Sequence, residues 1–226
     1  LAKDGRGTLL PAKHSIFRGP PVNDITLYSL APVDRSARVR WLYEELGIDF
    51  QQIWMDPKSS EHMGDAYRRV NPFATVPGVV RDGVGYFESG AIILDTLERM
   101  PDQRLAPAPG DPKRSEFLKW FMWGYQTFEH AALSWFRNHD KQLEDPMRQG
   151  AVFQMERMLN PIDQHLQTRD YVIGDFSAAD IVIGWDLAVA QMCKFPFAPF
   201  VNVEAYTRRL AARPAAKSLY EAVAQQ

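Results

Sequence analysis

Val70-Asn71-Pro72-Phe73-Ala74-Thr75-Val76-Pro77, followed eleven residues later by Glu88-Ser89-Gly90-Ala91-Ile92, is the stretch on which the fold turns. Val76, standing before Pro77, is biased toward extended geometry, and a turn proline there is a candidate for a cis bond. An outward-turned Val76 N–H and C=O would be ready to pair with another extended backbone. Asp82-Gly83 reads as a hairpin turn between Gly78-Val79-Val80-Arg81 and Val84-Gly85-Tyr86-Phe87. Ser89 then falls where a helix start exposes unpaired N–H groups, a setting suited to an anion. Taken singly, Asn-Pro, Asp-Gly and a capping serine are ordinary turn and cap signals. In this order they describe a seat for a small extended peptide that carries a carboxylate.

The ordered set of strand, turn, proline, hairpin, Glu-Ser and helix resembles the glutathione site of the soluble glutathione transferases. The resemblance implies glutathione as co-substrate. It implies that Val76, fixed by Pro77, pairs its backbone with the cysteinyl part. Glu88 would accept from the γ-glutamyl ammonium, and Ser89 would donate to the γ-glutamyl carboxylate. His62, nine positions before Asn71, matches the histidine that contacts the glycyl carboxylate in theta-like members. An imidazole N–H is a directed donor to an anion; a surface histidine without a task is the alternative. Thr75 stands where many relatives carry Lys, which implies one charge-assisted contact fewer and weaker glutathione affinity.

The bulk composition agrees with a soluble enzyme or binding protein. The 226 residues suffice for one large or two small domains, and 46% hydrophobic content can build a core. A net charge of −2, from 26 basic and 28 acidic residues, gives no pull toward nucleic acid or an anionic membrane. Cys193 is alone, so a disulfide framework and a cysteine zinc site are excluded, and a reducing cytoplasm is the expected compartment. No apolar run approaches the ~20 residues of a membrane helix. The five histidines lack paired-ligand spacing, so no metal is expected. Residues 1–24 lack the apolar core of a signal peptide and read as a surface or disordered arm, with Leu1 marking a processed or trimmed start.

Ile25 to Tyr28 reads as a strand, Val39, Leu42, Tyr43 and Leu46 as one helical face closed by Gly47, and Asp49 to Met55 as a second strand. A polar helix from Glu61 to Arg69 leads to the hairpin and the helix from Ser89. This βαβ-ββα order is the thioredoxin-like layout, an α+β domain over residues 25–101. Arg104 to Gly110 is a proline-rich linker within 102–113. Residues 114–226 read as an all-α domain. One long helix is expected from Asp111-Pro112 to about Asn138, and another from about Pro146 to Gln167. Ser177 and Asp180 form a capping-box-like pair flanked by Phe176 and Ile181 at staple positions, which predicts a buried folding element. This motif also resembles the helical domain of glutathione transferases.

The family's chemistry requires a glutathione thiolate near neutral pH, although a free thiol has pKa ~8.5. A hydroxyl donor plus a helix N-terminus supplies that stabilisation. Aligned with zeta-like relatives, however, Val33 and Asp34 stand where they carry paired serines, and Arg35 where they carry a cysteine. Ser36 is the remaining hydroxyl near the helix start, and β-etherase-like members keep a serine at a similar distance; a plain helix cap is its alternative. Tyr28 ends the first strand, where tyrosine-type classes place their donor, or else it packs. Arg35 or Arg38 offers charge alone. For the second substrate, a small hydrophobic electrophile, the resemblance implies lining by Met122, Tyr125, Glu129 and Trp135 on the aromatic-rich helix. The expectation is a homodimeric glutathione transferase. The alternatives are a non-catalytic binding or scaffold protein, or a glutathione-dependent etherase or isomerase.

Overall fold

The computed structural model describes residues 25–225, so the arm expected over residues 1–24 lies outside them. Four strands form one mixed sheet in the order β2-β1-β3-β4. β1 (Ile25–Ser29) and β2 (Gln51–Trp54) run parallel, and α1 (Ser36–Leu46) supplies the crossover that a parallel pair requires. α1 stops at Gly47, whose φ of 63° suits a residue without a Cβ. β3 (Gly78–Arg81) and β4 (Val84–Phe87) make the hairpin around Asp82-Gly83, and β3 lies antiparallel to β1. Along β1, Ile25 and Leu27 are buried while Thr26 and Tyr28 are half-buried, the period of two of a sheet with one face covered more fully.

Between β2 and β3 the expected polar helix divides. A 3-10 turn spans Glu61–Met63, and α2 is only Asp65–Arg68, because Gly64 between them is extended (φ −75°, ψ 157°). Tyr67 of α2 is buried and its hydroxyl donates to the Thr75 carbonyl at 2.6 Å. Gly78 is required beneath it, since a Cβ there would stand 2.7 Å from that hydroxyl. The Val76–Pro77 bond is cis. α3 (Ser89–Arg99) follows β4 and packs beside α1.

The helical half contains α4 (Arg114–Met122), α5 (Glu129–Asn138), α6 (Pro146–Leu166), α7 (Ala178–Met192), α8 (Val201–Ala211) and α9 (Lys217–Ala224). The single helix expected to run to Asn138 is interrupted by a π-helical turn at Trp123–Phe128. Gly124 in that turn lies so close to α7 that a Cβ would meet Val182 Cγ1 at 2.8 Å. Close packing of this kind accompanies π-bulges at functional regions. α7 is the core element: every residue from Ala178 to Ala190 is buried. Its start is the capping box read from the sequence, with Asp180 accepting from Ser177 N–H (2.8 Å) and Ser177 Oγ (2.9 Å). Val172 N–H (3.0 Å) and the Tyr206 hydroxyl (2.8 Å) complete its shell. Among the described residues no helix is long and apolar enough to cross a membrane.

Candidate functional site

The sheet register places Tyr28, Gly78 and Phe87 side by side on β1, β3 and β4. Chain leaving β1, entering β3 and leaving β4 therefore emerges at one end of the sheet. That end carries the start of α1, the Val76–Pro77 turn and the Glu88-Ser89 start of α3 together. Among the described residues, neither the N–H nor the C=O of half-buried Val76 has a hydrogen-bond partner. Thr75 is exposed, but its carbonyl is taken by Tyr67 and by Asn71 Nδ2 at 2.7 Å. Asn71 is buried and also receives Phe73 N–H on Oδ1 at 3.1 Å, so the Asn-Pro signal marks the side chain that holds this turn together.

At α3 no side chain among the described residues caps the helix, and Glu88 adopts φ 67°, ψ 105°. A left-handed acidic residue is costly backbone that persists mainly where function needs it. Glu88 is exposed and Ser89 buried, so the carboxylate faces outward beside uncapped helix N–H groups. His62 lies in the 3-10 turn, half-buried, with Nδ1 inaccessible and without a partner among the described residues.

The start of α1 is differently arranged. Asp34 accepts from the N–H groups of Leu30 (2.6 Å), Ala31 (2.8 Å) and Ser36 (2.7 Å), and from the Ser36 hydroxyl. Ser36 is fully buried, its Oγ held between Asp34 and Ser29, and Gln52 donates to Ser29 Oγ at 2.7 Å. The Ser36 hydroxyl, expected as the donor to the thiol, is thus turned inward and committed to Asp34 and Ser29. Tyr28 is half-buried and packs against Tyr67 with ring centroids 5.4 Å apart. Asp34, which sequence comparison noted only as a missing serine, is the anion that caps α1; an Asp two residues before a serine is the local signal for such a turn.

A buried ionic cluster joins the two halves just behind these elements. Arg38 of α1 is fully buried, with Nη1 2.8 Å from Glu129 Oε2 and Nη2 3.0 Å from Asp186 Oδ1. Its guanidinium lies 4.0 Å from the Trp185 ring and 4.7 Å from the Tyr125 ring. The Trp185 indole donates to the Val33 and Asp34 carbonyls, each at 3.0 Å, which ties α7 to the loop before α1. Burial pushes the Asp186 carboxyl well above its ordinary value against the pull of Arg38. Tyr125 is half-buried, and a Cβ on Gly90 would stand 3.4 Å from its ring, so it forms the wall behind the α3 start. Burial pushes its hydroxyl up to about 12, with the Arg38 charge and the Ser89 side chain pulling the other way.

Of the residues expected to line the second site, Met122 is exposed at the end of α4, whereas Tyr125 is half-buried and Glu129 buried in the seam between the halves. Trp135 is buried edge-on against Phe195 at 5.2 Å and borders a groove with Leu143, Phe153 and Lys194. Among the described residues no three His, Cys, Asp or Glu side chains are grouped to hold a metal.

Residues 23–94 match the family described as glutathione S-transferase, N-terminal domain. Glutathione S-transferase 3 of Schizosaccharomyces pombe is 28% identical over 84% of each chain. Protein LigF of a Sphingobium species is 24% identical over 87% of this chain and 93% of its own. A solved glutathione transferase from Burkholderia graminis, with two glutathione molecules bound per subunit, superposes with a TM-score of 0.74 at 25% identity, covering 87% of each chain.

Proposed function

We propose that this chain, a member of the soluble glutathione transferase superfamily, binds glutathione at the end of the sheet and presents its sulfur to a hydrophobic electrophile in the cleft before the helical half. One observation carries the proposal: the unpartnered backbone of Val76 and the uncapped, acid-flanked start of α3 stand side by side. A short peptide laid there would pair with Val76, place its ammonium on Glu88 and its carboxylate on the α3 amides near Ser89. His62, half-buried in the 3-10 turn, is the candidate contact for the glycyl end. In the reaction the thiol proton passes to solvent and sulfur bonds to the electrophilic carbon. A leaving group then departs with its electron pair, or the adjacent carbanion is protonated. A homodimer belongs to this reading, supported by the exposed edge-to-face pair Phe73 and Phe87, 5.5 Å apart.

Asp34 favours a second reading. Its carboxylate already uses three N–H groups at the α1 start, and a second anion beside it would be repelled. A protein so arranged would bind glutathione without activating it. Titrating the thiolate absorbance of bound glutathione against pH separates the two. A thiol pKa depressed by about one unit or more, worth ~1.4 kcal/mol per unit, supports the transferase; an unshifted thiol on a protein that binds supports the binding module.

A further inference from the structure

The seam between the halves holds a cation that the glutathione seat does not use. Arg35 stands at the start of α1, but its side chain reaches the helical half, where Nε donates to Glu129 Oε1 at 2.5 Å. The Arg35 side chain is 48% exposed, while that of Glu129 is only 9% exposed. Among the described residues Nε is the only Arg35 side-chain atom with a hydrogen bond or ion pair. Both Nη groups remain as a flat, two-donor end that matches a carboxylate.

The surrounding charges leave that end electropositive. Glu129 is shared with Arg38, and the other contact of Arg38, Asp186, is driven toward its neutral form by burial. Two guanidinium groups thus share the Glu129 carboxylate, and Arg35 is the exposed one of the two. The nearby Asp34 carboxylate is already met by three backbone N–H groups and the Ser36 hydroxyl. A peptide lying along Val76 and Ser89 would keep its sulfur on the sheet side. Glu129 draws the Arg35 guanidinium to the helical side, where the partner of that sulfur must lie.

We infer that Arg35, positioned by Glu129, selects second substrates that carry a carboxylate on an otherwise apolar body. This rests on the reading that glutathione occupies the neighbouring seat. The test is calorimetric, with the full chain and two ready-made glutathione conjugates: the S-aryl conjugate of a carboxydinitrophenyl group and its carboxamide. Glutathione itself is titrated in parallel. Wild type should bind the acid conjugate about tenfold tighter than the amide, a charge-assisted bidentate contact. Arg35→Gln should erase that preference while leaving glutathione affinity and melting temperature unchanged, and Arg35→Lys should restore part of it. Equal wild-type affinity for the two conjugates overturns the inference. So does an Arg35→Gln loss shared by both conjugates, which would assign Arg35 to the sulfur. A loss for glutathione itself would assign it to a glutathione carboxylate and also overturns it. Absence of glutathione binding by wild type is a separate result, and it removes the underlying reading together with the inference.

Discussion

The starts of α7 and α3 use the same two kinds of side chain, an acid and a serine, to opposite ends. At α7 the serine precedes the acid, and Asp180 is buried with four donors on its two oxygens. At α3 the acid precedes the serine, no side chain caps the helix, and Glu88 is exposed at φ 67°. A helix start whose polar groups are all met internally is a folding element. One that leaves its N–H groups open beside a strained, exposed acid is arranged for something that is not part of the chain. The start of α1 lies between them, capped by its own Asp34 yet open to the seam through Arg35.

The largest effect that would break this comparison is at α7. Asp180→Ala leaves Ser177 N–H, Val172 N–H and the Tyr206 hydroxyl without their acceptor in the core. It should lower the unfolding free energy by about 3–5 kcal/mol in a denaturant titration. A loss below about 1 kcal/mol would mean that the satisfied terminus is no more structural than the open one. Glu88→Gln should do the reverse. Glutathione affinity should fall about tenfold by calorimetry, through loss of a charge-assisted contact, with the melting temperature nearly unchanged. Lower stability with unaltered affinity would make Glu88 a structural residue.

A smaller effect sharpens the part played by the seam. The Asp186 carboxyl is raised in the fold by burial, above an unfolded value near ~4. The stability it lends is thus complete below that value and is lost as pH rises through its folded value. Asp186→Asn has no such loss, so the stability gap between wild type and variant should shift in the variant's favour as pH rises above ~4. A gap that stays constant across that range would show that Asp186 is ionised in the fold and paired fully with Arg38.

Turn and cap chemistry made much of this legible in the sequence. Asp82-Gly83, Gly47, the Val76-Pro77 pair and the Ser177–Asp180 box are local signals, and the structure realises each of them where the residues stand. What escaped depends on how the loop before α1 folds back on itself and on partners distant in sequence. Ser36 reads as a free hydroxyl until Ser29 is seen across from it, and Asp34 as a missing serine until its three N–H donors are counted. The π-turn brings Gly124 close to Val182, a contact between segments 58 residues apart that no periodicity records. The buried Arg38–Glu129–Asp186 cluster draws on three helices at once.

The most direct measurement is a pair of calorimetric titrations of the wild-type chain, one with glutathione and one with cysteinylglycine, which lacks the γ-glutamyl group. If the open start of α3 holds that group, glutathione should bind, and the dipeptide should bind at least about tenfold more weakly. No heat with millimolar glutathione, or equal affinity for the two peptides, would contradict the account.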